Sequence, residues 1–149
     1  MKTRRKITAL LLAAALMWTS MPVRAQEDLE RIRLAQEGQV FRMLTTAYHH
    51  GTATATGQRP RRGICAVRRE WVGKTALVWK CTDSDTMGEF LGIWECSDTG
   101  FGADSDGDGM GSIQEGRVID MYFPTREEVE EWMAVTGGRV YVQLVDAKG

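Results

Sequence analysis

The sequence predicts a mainly β domain, a small barrel or sandwich of six or seven short strands, and three observations carry that expectation. From Val40 onward β-type runs recur at short intervals: "VFRMLTTAY", "GTATATG", "GICAV", "KTALVWKC", "EFLGIWEC", "GRVIDMYF" and "GRVYVQLV". Each is rich in β-branched or aromatic residues and is bounded by glycine or polar residues, the composition that suits a pleated, half-buried surface. Only one segment gives a strong helix signal, and a chain of 149 residues has room for one ordinary core.

Residues 1–25 read as a signal peptide: "MKTRRK" is a basic n-region, "ITALLLAAALMW" an apolar h-region, and "VRA" a small-residue cleavage site before Gln26. No cysteine sits near that cut, which argues against a lipid anchor. No later apolar run reaches the roughly 20 residues of a membrane span, so stable membrane insertion is not expected after cleavage. Losing Lys2, Arg4, Arg5, Lys6 and Arg24 from 19 basic residues set against 20 acids leaves a distinctly acidic mature chain. Nucleic acid is a poor partner for such a chain, and a secreted or wall-associated monomer is the expected product. Residues 26–39, "QEDLERIRLAQEGQ", form a charged lead-in, either a short helix with Leu29, Ile32 and Leu34 as a weak stripe or a loose segment. The domain proper spans 40–149.

Within it, "KTALVWKCTDSDTMGEFLGIWEC" reads as a hairpin whose second strand delivers "SDTG" at its end. Asp98 therefore sits at a strand-to-loop junction. In "GRVIDMYF" the period of two puts Val118, Asp120 and Tyr122 on one face and Ile119 and Met121 on the other. An aspartate centred in such a strand is out of pattern. In "PTREEVEEWMAVTGG", Thr125 and Glu128 form a capping box, Val129, Trp132 and Met133 an apolar face, and Gly137 and Gly138 the stop.

Three further groups are candidates for chemistry. Asp104, Asp106, Asp108, Gly109 and Glu115 satisfy D-x-D-x-D-G-x5-E, the ligand pattern of a twelve-residue calcium loop. Gly111 stands where an EF-hand carries an apolar anchor and the flanks read as strand and loop, so the alternatives are a calcium loop in another setting and a solvated acidic turn. Cys65, Cys81 and Cys96 are an odd number in a chain bound for an oxidising compartment. A Cys81–Cys96 bridge across the hairpin is the preferred pairing, and buried free thiols are the alternative. His49 and His50 read as an exposed pair in a polar loop.

The order of these motifs resembles the bacterial three-aspartate (3D) domain, from about Thr46 to Val145: "TAY" and "TATG", then "GKTALVW", the "DTG" of Asp98, the "ID" of Asp120, and the closing helix and strand. That resemblance implies a six-stranded double-psi β-barrel with one short helix near the C-terminus, similar to the catalytic barrel of membrane-bound lytic transglycosylase A, acting on peptidoglycan. It makes Asp120 the counterpart of the transglycosylase acid and Asp98 its partner. The third aspartate is missing: where the family reads "AVDP" this chain has "AVRRE", with Arg68 in its place. Thr46, Tyr48, Thr54, Thr56, Thr99 and Gly100 are the candidate substrate-binding residues.

The expected chemistry is cleavage of a glycosidic bond with one aspartate as both acid and base, and it requires no cofactor, calcium being the only ion the sequence suggests. A non-catalytic barrel that grips wall polysaccharide is the alternative. "DTG" also marks aspartic proteases, but a single copy would need a homodimer to complete the pair.

Overall fold

The computed structural model describes residues 21–147, and most of the expected signal segment, residues 1–20, lies outside them. The lead-in is a helix, α1 (Val23–Gln36), and the expected cut before Gln26 falls in its first turn. It turns Ala35 inward, with Ile32 and Leu34 packed on the core, while Leu29 stays exposed. Its end is a Schellman motif: Gln39 N donates to Leu34 O, Gly38 N donates to Ala35 O, and Gly38 takes the left-handed φ of 65° that a side chain resists.

Six strands follow: β1 (Val40–Tyr48), β2 (Ile64–Ala66), β3 (Lys74–Cys81), β4 (Met87–Asp98), β5 (Val118–Tyr122) and β6 (Arg139–Asp146). They close into a ring in the order β1-β5-β2-β4-β3-β6. The pairs β1–β5 and β2–β4 are parallel and the other four antiparallel. The expectation of a mainly β, six-stranded closed sheet is met. Alternation along each strand fills the ring: Phe41, Met43 and Thr45 from β1, Ile119 and Met121 from β5, and Val140, Val142 and Leu144 from β6 are all buried. Of the face predicted for β5, Asp120 and Tyr122 are only partly covered, while Val118 is buried.

One expected strand is absent. "GTATATG" lies in the loop between β1 and β2 and makes turns, with Gly57 N donating to Thr54 O and Thr54 N to Gln58 O. Alternating Thr and Ala imitates a strand period. Here, however, the backbone bonds go to the loop itself, to Ser97 O and to the Asp98 side chain, leaving no ladder to join.

The predicted C-terminal helix is α2 (Arg126–Thr136), and its ends are as expected. Thr125 Oγ1 accepts from Glu128 N, and Gly137 at φ 61° donates to Met133 O. Trp132 closes one side of the ring, its Nε1–H donating to Thr45 Oγ1 at 3.0 Å.

The Cys81–Cys96 bridge is overturned. Hairpin register sets Cys81 opposite Met87 and Glu95 opposite Thr75, which puts the two cysteines at opposite ends of β3–β4. All three cysteines are free and buried, with Cys96 beside Cys65.

Candidate active site

β2 is the short strand on which the site is built. Ala66 is register partner to Asp98 on one side and to Asp120 on the other, so the two aspartates stand on the strands flanking a single residue. β1 runs parallel to β5 with Thr46 beside Asp120 and Tyr48 beside Tyr122. Residues two apart share a face, and Thr46 and Tyr48 accordingly reach the two aspartates in turn. Thr46 Oγ1 donates to Asp120 Oδ1 at 2.9 Å, and Tyr48 Oη donates to Asp98 Oδ2 at 2.9 Å.

The two carboxylates are held very differently. Asp98 is tied at both oxygens, since its Oδ1 accepts from Ala55 N at 3.0 Å and Thr99 N at 2.9 Å in addition to the Tyr48 bond. Asp120 accepts only from Thr46, and among the described residues its Oδ2 has no hydrogen-bond partner. Burial pushes the Asp120 carboxyl above the usual carboxylate range; the Thr46 bond opposes this, the negative charge of Asp98 adds to it, and His50 opposes it weakly. Burial and the bond to Asp98 hold the Tyr48 phenol well above its ordinary range, so it remains a donor.

Asp120 opens onto a groove of about 490 Å³ that it lines together with Thr46, Gly100, Phe101, Ile113, Arg117 and Arg24, among others. Asp98 is not on that wall and acts on Asp120 from beside it. Phe101, more than half exposed, is the groove's aromatic surface. Its backbone is fixed by Ile113 N–H donating to its carbonyl, and a Cβ at Gly111 would collide with that same carbonyl.

The other expected residues divide. Thr99 and Gly100 are held at the start of the β4–β5 connection, where Gln114 Nε2 donates to Thr99 Oγ1 and to Gly100 O. Thr54 is buried and shares a hydroxyl bond with Thr56 at 3.0 Å, so this pair braces the loop that presents Ala55 N to Asp98. Arg68 donates to Gln114 O at 2.9 Å and pairs with Glu70, bracing the connection between β4 and β5. Gln114, Phe101 and the Ala55 amide carried no sequence signal, because their roles depend on a loop folding back onto the end of β4. His49 and His50 are exposed with rings edge-on at 5.1 Å, beyond the end of β1 where the strand period lapses.

The acidic loop assembles only part of the calcium pattern. Asp104, Asp106 and Asp108 bring carboxylate oxygens within 4.8 Å of one another. Two of them also serve the turn, Asp104 accepting from Gly109 N and Asp108 from Met110 N. Glu115, which should close the shell, is buried against Arg117. Arg117 also reaches Asp106 at 3.5 Å, and Arg24 reaches it at 3.6 Å. Arg24 precedes the expected cut, so in the mature chain Arg117 is the guanidinium that neutralises part of the cluster, and with Glu115 held by it the twelve-residue ligand set is incomplete as folded.

A second pocket, about 290 Å³, lies under α2 among Leu91, Trp94, Phe123 and Trp132. Glu128 and Glu131 also line it, and Glu128 is bound to Arg62 and to the helix cap. Compared with known proteins, the chain matches no family model and no curated protein.

Proposed function

We propose that the protein is a secreted peptidoglycan-cleaving enzyme, a lytic transglycosylase or related glycosidase, built on a double-psi β-barrel of the 3D type. One observation carries this reading: two aspartates flank Ala66, one tied at both oxygens and the other left with a free oxygen, a raised proton affinity and a groove before it. A general acid needs that combination: a carboxyl that keeps its proton to higher pH than an ordinary carboxylate and stands within reach of a leaving oxygen.

In this mechanism Asp120 protonates the glycosidic oxygen as the bond to the sugar's anomeric carbon breaks, and charge builds on the ring as in an oxocarbenium ion. The resulting carboxylate takes a proton from a hydroxyl of the same sugar as that oxygen closes on the anomeric carbon. An anhydro product results without water, and Asp120 is protonated again. Asp98 is a positioning residue: its charge raises the proton affinity of Asp120, and its three hydrogen bonds hold β1, the loop at Ala55 and the start of the Asp98–Asp120 connection in one arrangement. Phe101 offers an apolar face to a sugar ring.

Incubating the purified protein with peptidoglycan sacculi tests the reading. Release of soluble fragments is expected, whereas binding without release would favour the non-catalytic barrel. Asp98→Asn should lower turnover about tenfold, and it should move the alkaline limb of the pH–rate profile to lower pH, because removing a neighbouring negative charge lets Asp120 lose its proton more easily. An unmoved limb would remove Asp98 from the mechanism.

Calcium enters this proposal only as a weak occupant of the Asp104–Asp106–Asp108 cluster. With Glu115 engaged by Arg117, isothermal titration should give a dissociation constant no tighter than about 10⁻⁴ M, and Asp106→Ala should abolish the heat. Micromolar binding would mean that Glu115 leaves Arg117 to complete the shell.

A further inference from the structure

Cys65 and Cys96 are register partners across the parallel β2–β4 pair, both fully buried, with Sγ atoms 3.8 Å apart. Neighbouring strands place register partners about 5 Å apart, inside the roughly 4.4–6.8 Å between Cα atoms that a disulfide spans. Side-chain rotation alone can therefore close the gap. Cys81 is remote from both, at the far end of the hairpin, where its thiol donates to Asp85 Oδ1 at 3.3 Å.

We propose that Cys65 and Cys96 are the site of a structural disulfide that ties β2 to β4, made as the chain folds in an oxidising compartment, with Cys81 left as the single thiol. The oxidant is the disulfide of a thiol–disulfide oxidoreductase. One cysteine thiolate attacks it, forming a mixed disulfide and releasing one oxidant thiolate; the second attacks the protein sulfur of that mixed disulfide and releases the other. Two electrons and the two thiol protons pass to the oxidant, which leaves as a dithiol. The exchange precedes closure of the ring, because neither sulfur is exposed in the folded chain. Cys96 as neighbour, together with burial, also pushes the Cys65 thiol upward, so the folded protein holds little thiolate there. The bond would fix the strand whose Ala66 stands between Asp98 and Asp120.

This inference rests on the exported destination read from residues 1–25 and on no catalytic role, so it can fail or succeed whether or not the protein cuts glycan. The test uses the full chain exported to an oxidising compartment and alkylated with iodoacetamide under denaturing, non-reducing conditions. Trypsin leaves Cys81 and Cys96 on one peptide, because no Lys or Arg lies between Cys81 and Arg117; a second cleavage at Glu89 and Glu95 separates them. The expected result is a Cys65 peptide linked to a Cys96 peptide, with Cys81 alkylated. Reduction should then lower Tm by about 10 °C. Alkylation of both Cys65 and Cys96, Cys81 in the bridge, or a Tm that reduction leaves unchanged would overturn the proposal.

Discussion

Asp120→Asn should abolish release of soluble fragments from sacculi, a loss of about a thousandfold, in a protein that folds and is slightly more stable at neutral pH than the parent. The activity argument is one of proton transfer: an amide keeps the shape and the Thr46 bond but can neither give nor recover a proton. The stability argument follows from linkage. Burial raises the Asp120 pKa in the folded state, so the folded protein holds this proton more tightly than the unfolded chain does. The favourable contribution is complete below the unfolded carboxyl pKa and is lost as pH rises through the folded value. Above that value the folded state carries a half-buried charge, which Asn does not. Thermal melts at pH 4 and pH 7 read this directly: the variant should gain on the parent between the two. A variant with parental turnover would remove Asp120 from the chemistry, and one that loses activity together with its melting transition would show only a folding role.

Trp132→Ala should destabilise the protein by about 3–5 kcal/mol, the cost of emptying a large aromatic site. Trp132 is almost wholly buried, meets Trp94 edge-on at 5.2 Å and Phe123 at 5.6 Å, and its Nε1–H reaches the buried Thr45 hydroxyl from α2. It is the principal bolt between that helix and β1, the strand that carries Thr46 to Asp120. Trp132→Phe should keep most of the packing and lose the hydrogen bond, costing about 1 kcal/mol for that bond plus the difference in ring size. Urea midpoints followed by circular dichroism measure both. A Trp132→Ala variant within about 1 kcal/mol of the parent would mean that α2 rests on the ring without belonging to its core.

What was legible in the sequence was what local periodicity and local caps encode. Asp120 stood out because a carboxylate centred in an otherwise apolar strand is out of pattern. The ends of α2 were readable because Thr125, Glu128 and Gly137 act within a single turn. What was hidden depends on partners far along the chain. The parallel placement of β2 beside β4, which brings Cys65 to Cys96, is a property of the closed ring and cannot be seen in the hairpin that contains Cys81. "GTATATG" has a strand's alternation, yet Gly57 at φ 81° and the bonds around it make a turn whose Ala55 amide serves Asp98. Glu115 fits a calcium pattern by spacing, but Arg117, two residues on, captures it. A short-range motif says nothing of such a competitor.

The central claim, that Asp120 cleaves the glycan without water, is tested most directly by mass spectrometry of the products from purified peptidoglycan. The account predicts muropeptides ending in an anhydro sugar, lighter by one water than their hydrolytic counterparts, from the parent and none from Asp120→Asn. Products ending in a free reducing sugar, or an intact glycan with the protein bound to it, would contradict the claim.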